Sequence, residues 1–295
     1  MMKVTRRGLL AWTGAVGGAY GLGLATPRLV SFVREAPFRR AAEAVAPSKP
    51  ILTSLDIGGP VAKLVESGVI DVEKFTKAHK RYGPIPEWVS RALEGKQQEL
   101  TFSAQTATYN LNLLWPLGLA TKATFNDDSP IKGDDLPNYA STGGWFLGRE
   151  NNGAAYFNAV DTLPLTPEQS KRVHRLAEGV FRPCCGNSSF FQDCNHGSAM
   201  LGLLELTAAN GWSEAEMLGL AKAANGFWYP QEYAELALYF DVIEGLSWSE
   251  VPAKRVLSTE FSSVQGWQEN VYAALVKRGT LVKDLPSGGG GGCAV

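Results

Sequence analysis

Apolar residues recur from Pro60 onward with the three-to-four-residue spacing of amphipathic helices. Proline, glycine or a capping residue separates one such segment from the next, and no fixed period suggests a repeat array. Strand signals are few, and the best of them covers residues 51–57. The pattern therefore predicts a single, mainly α domain with minor β structure. The predicted helices cover residues 60–66, 71–82, 86–93, 103–114, 167–180, 198–209, 213–225, 231–243, 249–257 and 262–278.

Capping residues mark the start of three of these helices. Asp71 stands at the N-cap position of the first. Thr166 and Gln169 have the spacing of a capping box, with a proline at the first helical position between them, and Ser213 and Glu216 repeat the box. We therefore expect helices to begin at these three places.

The middle of the chain departs from the regular pattern. The predicted helix 103–114 stops before Pro116, because proline has no N–H group and restricts the residue before it. Thr106 and Asn110 are four residues apart on one face of that helix, and we expect them to bond neighbouring backbone. Residues 124–158 are rich in Asp, Asn, Gly and Pro and are predicted to form a long irregular segment.

Residues 1–44 are predicted to be a twin-arginine export signal or an N-terminal membrane anchor. Arg6 and Arg7 precede an uncharged stretch, residues 8–27, which contains six glycines and is less apolar than an ordinary secretory core. About 20 apolar residues can also span a bilayer, so the leader can remain as an anchor. A small-residue cleavage sequence occurs at residues 42–44. We therefore expect a periplasmic or other extracytoplasmic location, reached after folding in the cytoplasm, where thiols are reduced.

Charge is divided unevenly along the chain. Of its 28 Lys and Arg and 29 Asp and Glu residues, seven basic and two acidic ones lie in residues 1–44. The remainder holds 21 basic and 27 acidic residues, a balance of about −6. Such a body lacks the clustered Lys and Arg that contact phosphates, which argues against nucleic acid as a partner. With three histidines in the whole chain, a metal site made of three imidazoles is not expected either.

The concentrated chemistry of the chain is a cluster of cysteine and histidine. Cys184, Cys185 and Cys194 fall within eleven residues, and His196 follows the last of them after one residue. Thiolate and imidazole are the donors that zinc and copper prefer. The four residues therefore predict a Cys₃His site for a soft transition metal. Their C-C-x8-C-x-H spacing differs from standard zinc fingers and from the C-x-x-C-H motif of covalent haem.

Two further residues can add a sulfur donor to this cluster. Met200 lies one helical turn beyond His196, where its thioether would favour Cu(I), unless it simply fills the core. Cys293 follows five glycines in the tail 287–295, which we predict to be a flexible arm able to bring its thiol back to the cluster. The alternatives for this thiol are an attachment point or an unstructured end. On the opposite side of the helix from His196, Glu205 is expected to make a buried polar contact.

The cysteines also allow two interpretations without a metal. After export, a pair such as Cys185 and Cys194 can form a structural disulfide in a non-enzymatic scaffold. The adjacent pair Cys184 and Cys185 can instead exchange with substrate thiols, which would make the protein an envelope thiol–disulfide oxidoreductase. The expected partner is thus a metal ion in the main interpretation and a thiol in the last.

Two motifs carry a resemblance to known proteins. The segments R-P-C-C-x-N at 182–187 and D-C-N-H-G-x-A-M-L-G-L-x-E-L at 193–206 resemble a group of twin-arginine-exported bacterial proteins of uncharacterised function. Residues 109–119 and 140–145 belong to the same pattern, so the resemblance implies one shared domain over about 45–286. A fainter similarity is to exported proteins with a P-C-Y-C-G-C motif, a group associated with metal binding. Here, however, the two cysteines are adjacent and none follows the glycine.

Overall fold

The structure is a computed structural model that describes residues 36–281, and the predicted mainly α single domain with minor β structure is confirmed. Helix α1 covers 36–45, and two short strands, β1 (Ile51–Asp56) and β2 (Glu99–Phe102), pair in antiparallel orientation. The other α-helices are α2 (Gly58–Glu66), α3 (Val72–His79), α4 (Glu87–Leu93), α5 (Ala107–Ala120), α6 (Pro167–Gly179), α7 (Asn195–Ala209), α8 (Glu214–Trp228), α9 (Pro230–Tyr239), α10 (Ala253–Val256), α11 (Thr259–Ser262), α12 (Val264–Gly266) and α13 (Ala273–Lys277). Turns of 3₁₀ helix cover Lys80–Tyr82, Thr124–Asp128, Gly133–Asn138 and Gly153–Tyr156, and π-helical turns cover Phe240–Glu244 and Trp267–Tyr272.

Several predicted features fall on residues 1–35 and 282–295, which lie outside the described residues. These features are the twin-arginine motif, the uncharged stretch after it and the glycine-rich tail with Cys293. Within residues 36–281, no helix has both the length and the apolar character needed to cross a bilayer.

The capping residues begin their helices as predicted. The side chain of Asp71 accepts a hydrogen bond from the N–H of Lys74 at the start of α3. Reciprocal capping boxes, Thr166 with Gln169 and Ser213 with Glu216, begin α6 and α8. Side-chain acceptors therefore satisfy N–H groups that these helices would otherwise leave unpaired.

The predicted end of the helix before Pro116 is wrong. Helix α5 continues through this proline to Ala120, and nearly all of its residues from Tyr109 onward are buried. Proline removes one backbone hydrogen bond from a helix interior, but here packing on every side fixes the helix axis regardless of that loss. The predicted contacts of Thr106 and Asn110 are confirmed, since both side chains donate to the carbonyl of Thr101.

Helices α5 and α7 form the centre of the main hydrophobic core, and their backbones touch. A Cβ atom on Gly118 would lie 2.0 Å from the carbonyl oxygen of Ser198, and one on Gly202 would lie 2.5 Å from that of Leu114. No side chain fits at either glycine, so the two helices approach as closely as their backbones allow. Because α7 is buried from Asn195 to Ala208, this contact fixes the position of the N-terminus of α7. The loop of residues 180–194, which carries the three cysteines of the predicted cluster, ends there.

A smaller hydrophobic cluster joins the two ends of the described chain. It combines α1 with α9 and with the C-terminal helices α10, α11 and α13, around the buried rings of Tyr233, Phe240 and Phe261. Ala41 and Val45 of α1 are buried in it. The predicted leader 1–44 thus overlaps a helix that packs into this cluster.

Candidate metal centre

The cysteines lie on the loop of residues 180–194, which connects α6 to α7. At its start, the carbonyl of Val180 accepts hydrogen bonds from the N–H (2.8 Å) and the hydroxyl (2.9 Å) of Ser189. The N–H of Phe190 donates to the carbonyl of Ala177 in α6 at 3.1 Å. These contacts fold the loop back onto the end of α6. The fold brings Cys184 and Cys185 close to Cys194 at the end of the loop.

A single buried guanidinium holds the inside of this loop. Arg182 is 1% exposed. Its Nη1 donates to the carbonyls of Asn187 (2.8 Å) and Ser188 (2.7 Å). Its Nη2 donates to the carbonyl of Phe191 (3.3 Å) and to the carboxylate of Asp193 (2.5 Å). These directed donors hold the interior of the loop, while Val180 and Phe190 of the loop belong to the main hydrophobic core.

Three sulfur atoms converge at the mouth of the loop. The Sγ atoms of Cys184 and Cys185 are 3.1 Å apart, those of Cys184 and Cys194 are 3.8 Å apart, and those of Cys185 and Cys194 are 3.6 Å apart. Zinc–thiolate bonds of about 2.3 Å in tetrahedral geometry place neighbouring sulfurs about 3.8 Å apart. The sulfurs thus lie near the spacing that they would have around one ion.

Cys194 is the most enclosed of the three cysteines. It is buried, occupies the N-cap of α7 and accepts hydrogen bonds at Sγ from the N–H of Gly197 (3.4 Å) and from Nε of Arg182 (3.3 Å). A Cβ atom on Gly197 would lie 2.7 Å from Nη2 of Arg182, so a side chain there would displace the guanidinium. The helix N-terminus and the guanidinium both place positive charge beside this sulfur.

His196 supplies an imidazole at the edge of the sulfur triangle. It lies in the first turn of α7, which begins three residues earlier than predicted, and it is buried. Donor atoms of Cys184, Cys194 and His196 all lie within 4.8 Å of one another. The ring packs against Tyr229, with ring centroids 4.7 Å apart, and its Nδ1 has no hydrogen-bond partner among the described residues. When one nitrogen of a histidine binds a metal, the other generally has a hydrogen-bond partner. Among the described residues, the site provides no such partner for Nδ1 of His196.

Asp193 could also approach an ion, but its carboxylate is already engaged. Its donor atom and those of Cys185 and Cys194 lie within 4.8 Å of one another. The carboxylate accepts from Arg182 and from the side-chain amide of Asn187 (2.9 Å). We therefore assign Asp193 to charge balance of the guanidinium.

The charges in the loop are strongly coupled. Burial alone would lower the pKa of Arg182. The opposite effect is larger and raises the pKa above its usual value, and it comes from Cys194, Cys185, Cys184 and the carboxylate of Asp193. The guanidinium therefore stays charged. Hydrogen bonds to Cys185 and Cys194, followed by burial, raise the pKa of Cys184. The pKa of Cys185 is lowered by Cys184 but raised more by Cys194 and burial, to about 12. These two thiols hold their protons at neutral pH, and a bound metal would have to displace them.

Tyr229 is a part of the site that the sequence did not reveal. Its hydroxyl donates to Sγ of Cys184 at 2.9 Å, although 45 residues separate the two. Burial raises the pKa of Tyr229 well above its usual value, and the nearby Cys184 and Cys194 raise it further, so the phenol remains a hydrogen-bond donor. The role of Arg182 was also missed, although its position in the motif was noted. Neither residue carries a signal in the local pattern, because both act through tertiary contacts.

The structure brings together four of the six predicted site residues. Cys184, Cys185 and Cys194 form the sulfur triangle, and His196 lies within 4.8 Å of donor atoms of Cys184 and Cys194. Met200 is fully buried in the main hydrophobic core. This position agrees with the alternative that Met200 simply fills the core. Cys293 lies outside the described residues.

We compared the chain with protein-family models, with curated proteins and with solved structures. None of these three comparisons found a match. The donor set itself indicates what the site can hold. Cys184 and Cys194 with His196 form a group that can bind a metal ion. Thiol and imidazole donors suit zinc or copper, whereas hard cations such as calcium and magnesium require oxygen ligands.

Proposed function

We propose that this is an exported protein that binds one soft transition-metal ion, zinc or copper, through Cys184, Cys185, Cys194 and His196. The observation that carries the proposal is the sulfur triangle, with edges of 3.1, 3.6 and 3.8 Å and an imidazole beside it. Met200 and Cys293 are auxiliary donors in this proposal. An ion there would replace the protons that the sulfurs now share.

The buried guanidinium supports this function. Three thiolates around a divalent or monovalent ion leave an excess of negative charge, which is costly away from water. Arg182 places a permanent positive charge 3.3 Å from one of these sulfurs and is locked there by four oxygen acceptors. The positive charge of the site is thus in place before an ion arrives.

Metal analysis of the full chain, purified without chelator under reducing conditions, tests the proposal. We expect close to one equivalent of zinc or copper, lost in Cys194→Ser and retained in the matched variant Cys293→Ser, which removes a cysteine outside the described cluster. Loading with Co²⁺ should give thiolate-to-cobalt charge-transfer absorption in the wild type and less of it in each cluster variant. Metal-free protein that takes up neither Co²⁺ nor Cu⁺ would refute the proposal.

A thiol–disulfide oxidoreductase is the second candidate. It is favoured by the exposed position of Cys184 and its sulfur 3.1 Å from that of Cys185. Rapid thiol exchange, however, requires a cysteine of low pKa, whereas the pKa values of both these residues are raised. Insulin reduction that depends on Cys184 and Cys185 would favour this enzyme. A mass lower by two hydrogens, without such activity, would favour the disulfide scaffold.

Export is the second part of the proposal, and it depends on residues 1–35. If Arg6 and Arg7 direct the folded chain across the membrane, replacing both by lysine should retain the protein in the cytoplasm. Cell fractionation with an antibody against the folded body measures this. An unchanged distribution between fractions would refute export by this route.

A further inference from the structure

The three cysteine residues of the cluster differ in access to solvent. Cys184 is exposed, Cys185 is half-buried and Cys194 is buried. The sulfur of Cys194 is held by Arg182 and by the N-terminus of α7, whereas that of Cys184 accepts a hydrogen bond from the hydroxyl of Tyr229. One vertex of the triangle, Cys194, is therefore anchored in the fold, whereas another vertex belongs to the exposed residue Cys184.

An ion at this site would be reachable at one vertex. A soft ion held by three sulfurs leaves readily only to a donor of comparable softness, which in proteins and small metabolites is a thiol. Such a donor can approach Cys184, while Cys194 lies behind the guanidinium of Arg182 and the first turn of α7.

We propose, building on the metal-binding function above, that the ion is passed to a thiol-bearing acceptor by ligand exchange that starts at Cys184 and ends at Cys194. In the first step, the acceptor sulfur forms a bond to the ion as the bond from Cys184 breaks. The proton that the acceptor thiol loses is taken up by the departing Cys184 sulfur. The oxidation state of the ion does not change.

Tyr229 is a positioning residue for this step. Its hydroxyl lies 2.9 Å from Sγ of Cys184 and can donate to that sulfur as negative charge builds up on it. Its ring also packs against His196, which keeps the hydroxyl in place. Removing the hydroxyl should slow exchange while leaving the four donors of the ion intact.

The experiment uses the full chain with Cys293→Ser, so that the tail thiol cannot act as the acceptor. The protein is loaded with Cu⁺ in the absence of oxygen and mixed with glutathione. Samples are then alkylated with excess N-ethylmaleimide, and the labelling of each cysteine is followed by mass spectrometry. We expect Cys184 to be labelled first and Cys194 last, with a rate of copper loss proportional to the glutathione concentration.

The Tyr229→Phe variant gives the second readout. It keeps all four proposed copper donors and should exchange the bound ion roughly three- to tenfold more slowly, the effect of losing one ordinary hydrogen bond. Tyr239→Phe is the matched control, because that ring packs against Phe240 and Phe261. Its exchange rate should equal that of the parent protein.

The outcomes separate the two proposals. If the protein retains copper but Cys194 is labelled first, or all three cysteines together, the exchange route is overturned and the metal site stands. A rate independent of glutathione has the same meaning, since the ion would then dissociate unaided. If neither Cu⁺ nor Co²⁺ is retained, the metal-binding function fails, and this inference fails with it.

Discussion

Two buried regions meet at α7, and they are held together in opposite ways. Between α5 and α7 the backbones touch at Gly118 and Gly202, and the surroundings are apolar. In the loop 180–194 one buried guanidinium bonds to backbone carbonyls, a carboxylate and a sulfur. Close packing dominates the first region, whereas directed polar contacts hold the interior of the second.

Each region also contains a buried side chain of a type that is charged in water at neutral pH. Arg182 in the loop is surrounded by acceptors and stays charged. Glu205 in α7 is fully buried, and neither of its oxygens makes a hydrogen bond of normal length to a described residue. Burial therefore raises its pKa well above the usual range, and the hydroxyl of Thr121 offsets only part of this. A charge is kept inside this protein where partners surround it and is neutralised where they do not.

The largest expected effect comes from separating α5 and α7. Gly118→Val adds atoms where even a Cβ would lie 2.0 Å from the carbonyl oxygen of Ser198. We expect the free energy of unfolding to fall by more than about 3 kcal/mol. Urea denaturation measures it, and Gly219→Val is the control, since a Cβ there meets nothing within 4 Å. Equal stability of the two variants would show that the helices can move apart at little cost.

The loop should be affected next by Arg182→Met. This variant removes the donors to four oxygen acceptors and leaves Asp193 without its ion pair, so we expect a loss of about 2 kcal/mol in unfolding free energy. Metal retention should fall as well, because the loop no longer brings the sulfurs together. Arg175→Met breaks only an exposed pair with Glu214 and should change stability by less than about 1 kcal/mol. Wild-type stability and metal content in Arg182→Met would contradict the role of the guanidinium.

A smaller effect, dependent on pH, is expected for Glu205→Gln. The pKa of Glu205 is raised in the folded state, so the folded protein keeps a proton there that the unfolded chain releases. Stability should therefore decrease as the pH rises above the usual carboxyl range, and the variant should lose this part of the decrease. Thermal melts between about pH 5 and pH 8 measure the difference in slope. Glu168→Gln at the exposed start of α6 should keep the wild-type slope, and an identical slope in Glu205→Gln would mean that the carboxyl ionises freely.

The smallest effect is expected for Met200→Leu. Met200 lies in the main core, where a swap of similar volume should cost less than about 1.5 kcal/mol. The amount of bound copper should not change if Met200 serves packing alone. Copper titration under reducing conditions provides the measurement. A weaker site in this variant would support Met200 as the proposed auxiliary donor.

Local signals allowed the sequence to predict much of this fold. The capping boxes at Thr166 and Ser213 depend on side chains three residues apart, and the cysteine cluster depends on residues that one short loop brings together. The path of α5 through Pro116 depends instead on its burial against α7, which no local rule contains. Strand β2, with four residues, was missed because it exists by pairing with β1.

The candidate site divides in the same way. Its donors were found from their chemistry and spacing, because three thiols and an imidazole so close in sequence usually lie close together in space as well. Arg182 and Tyr229 were not recognised, since the first is buried only when the loop closes and the second arrives from the end of α8. Glu205 was expected to make a polar contact, but the structure shows burial without a regular partner.

The cysteine loop is also tied to the C-terminal helices. The N–H of Val264 donates to the carbonyl of Cys185 at 3.0 Å, and a Cβ on Gly186 would lie 2.9 Å from the side chain of Gln265. The amide of Val264 is consequently a natural reporter of the loop, positioned outside it. Its nuclear magnetic resonance frequency and its deuterium uptake will register any rearrangement of the cysteines, without a label on the sulfurs themselves.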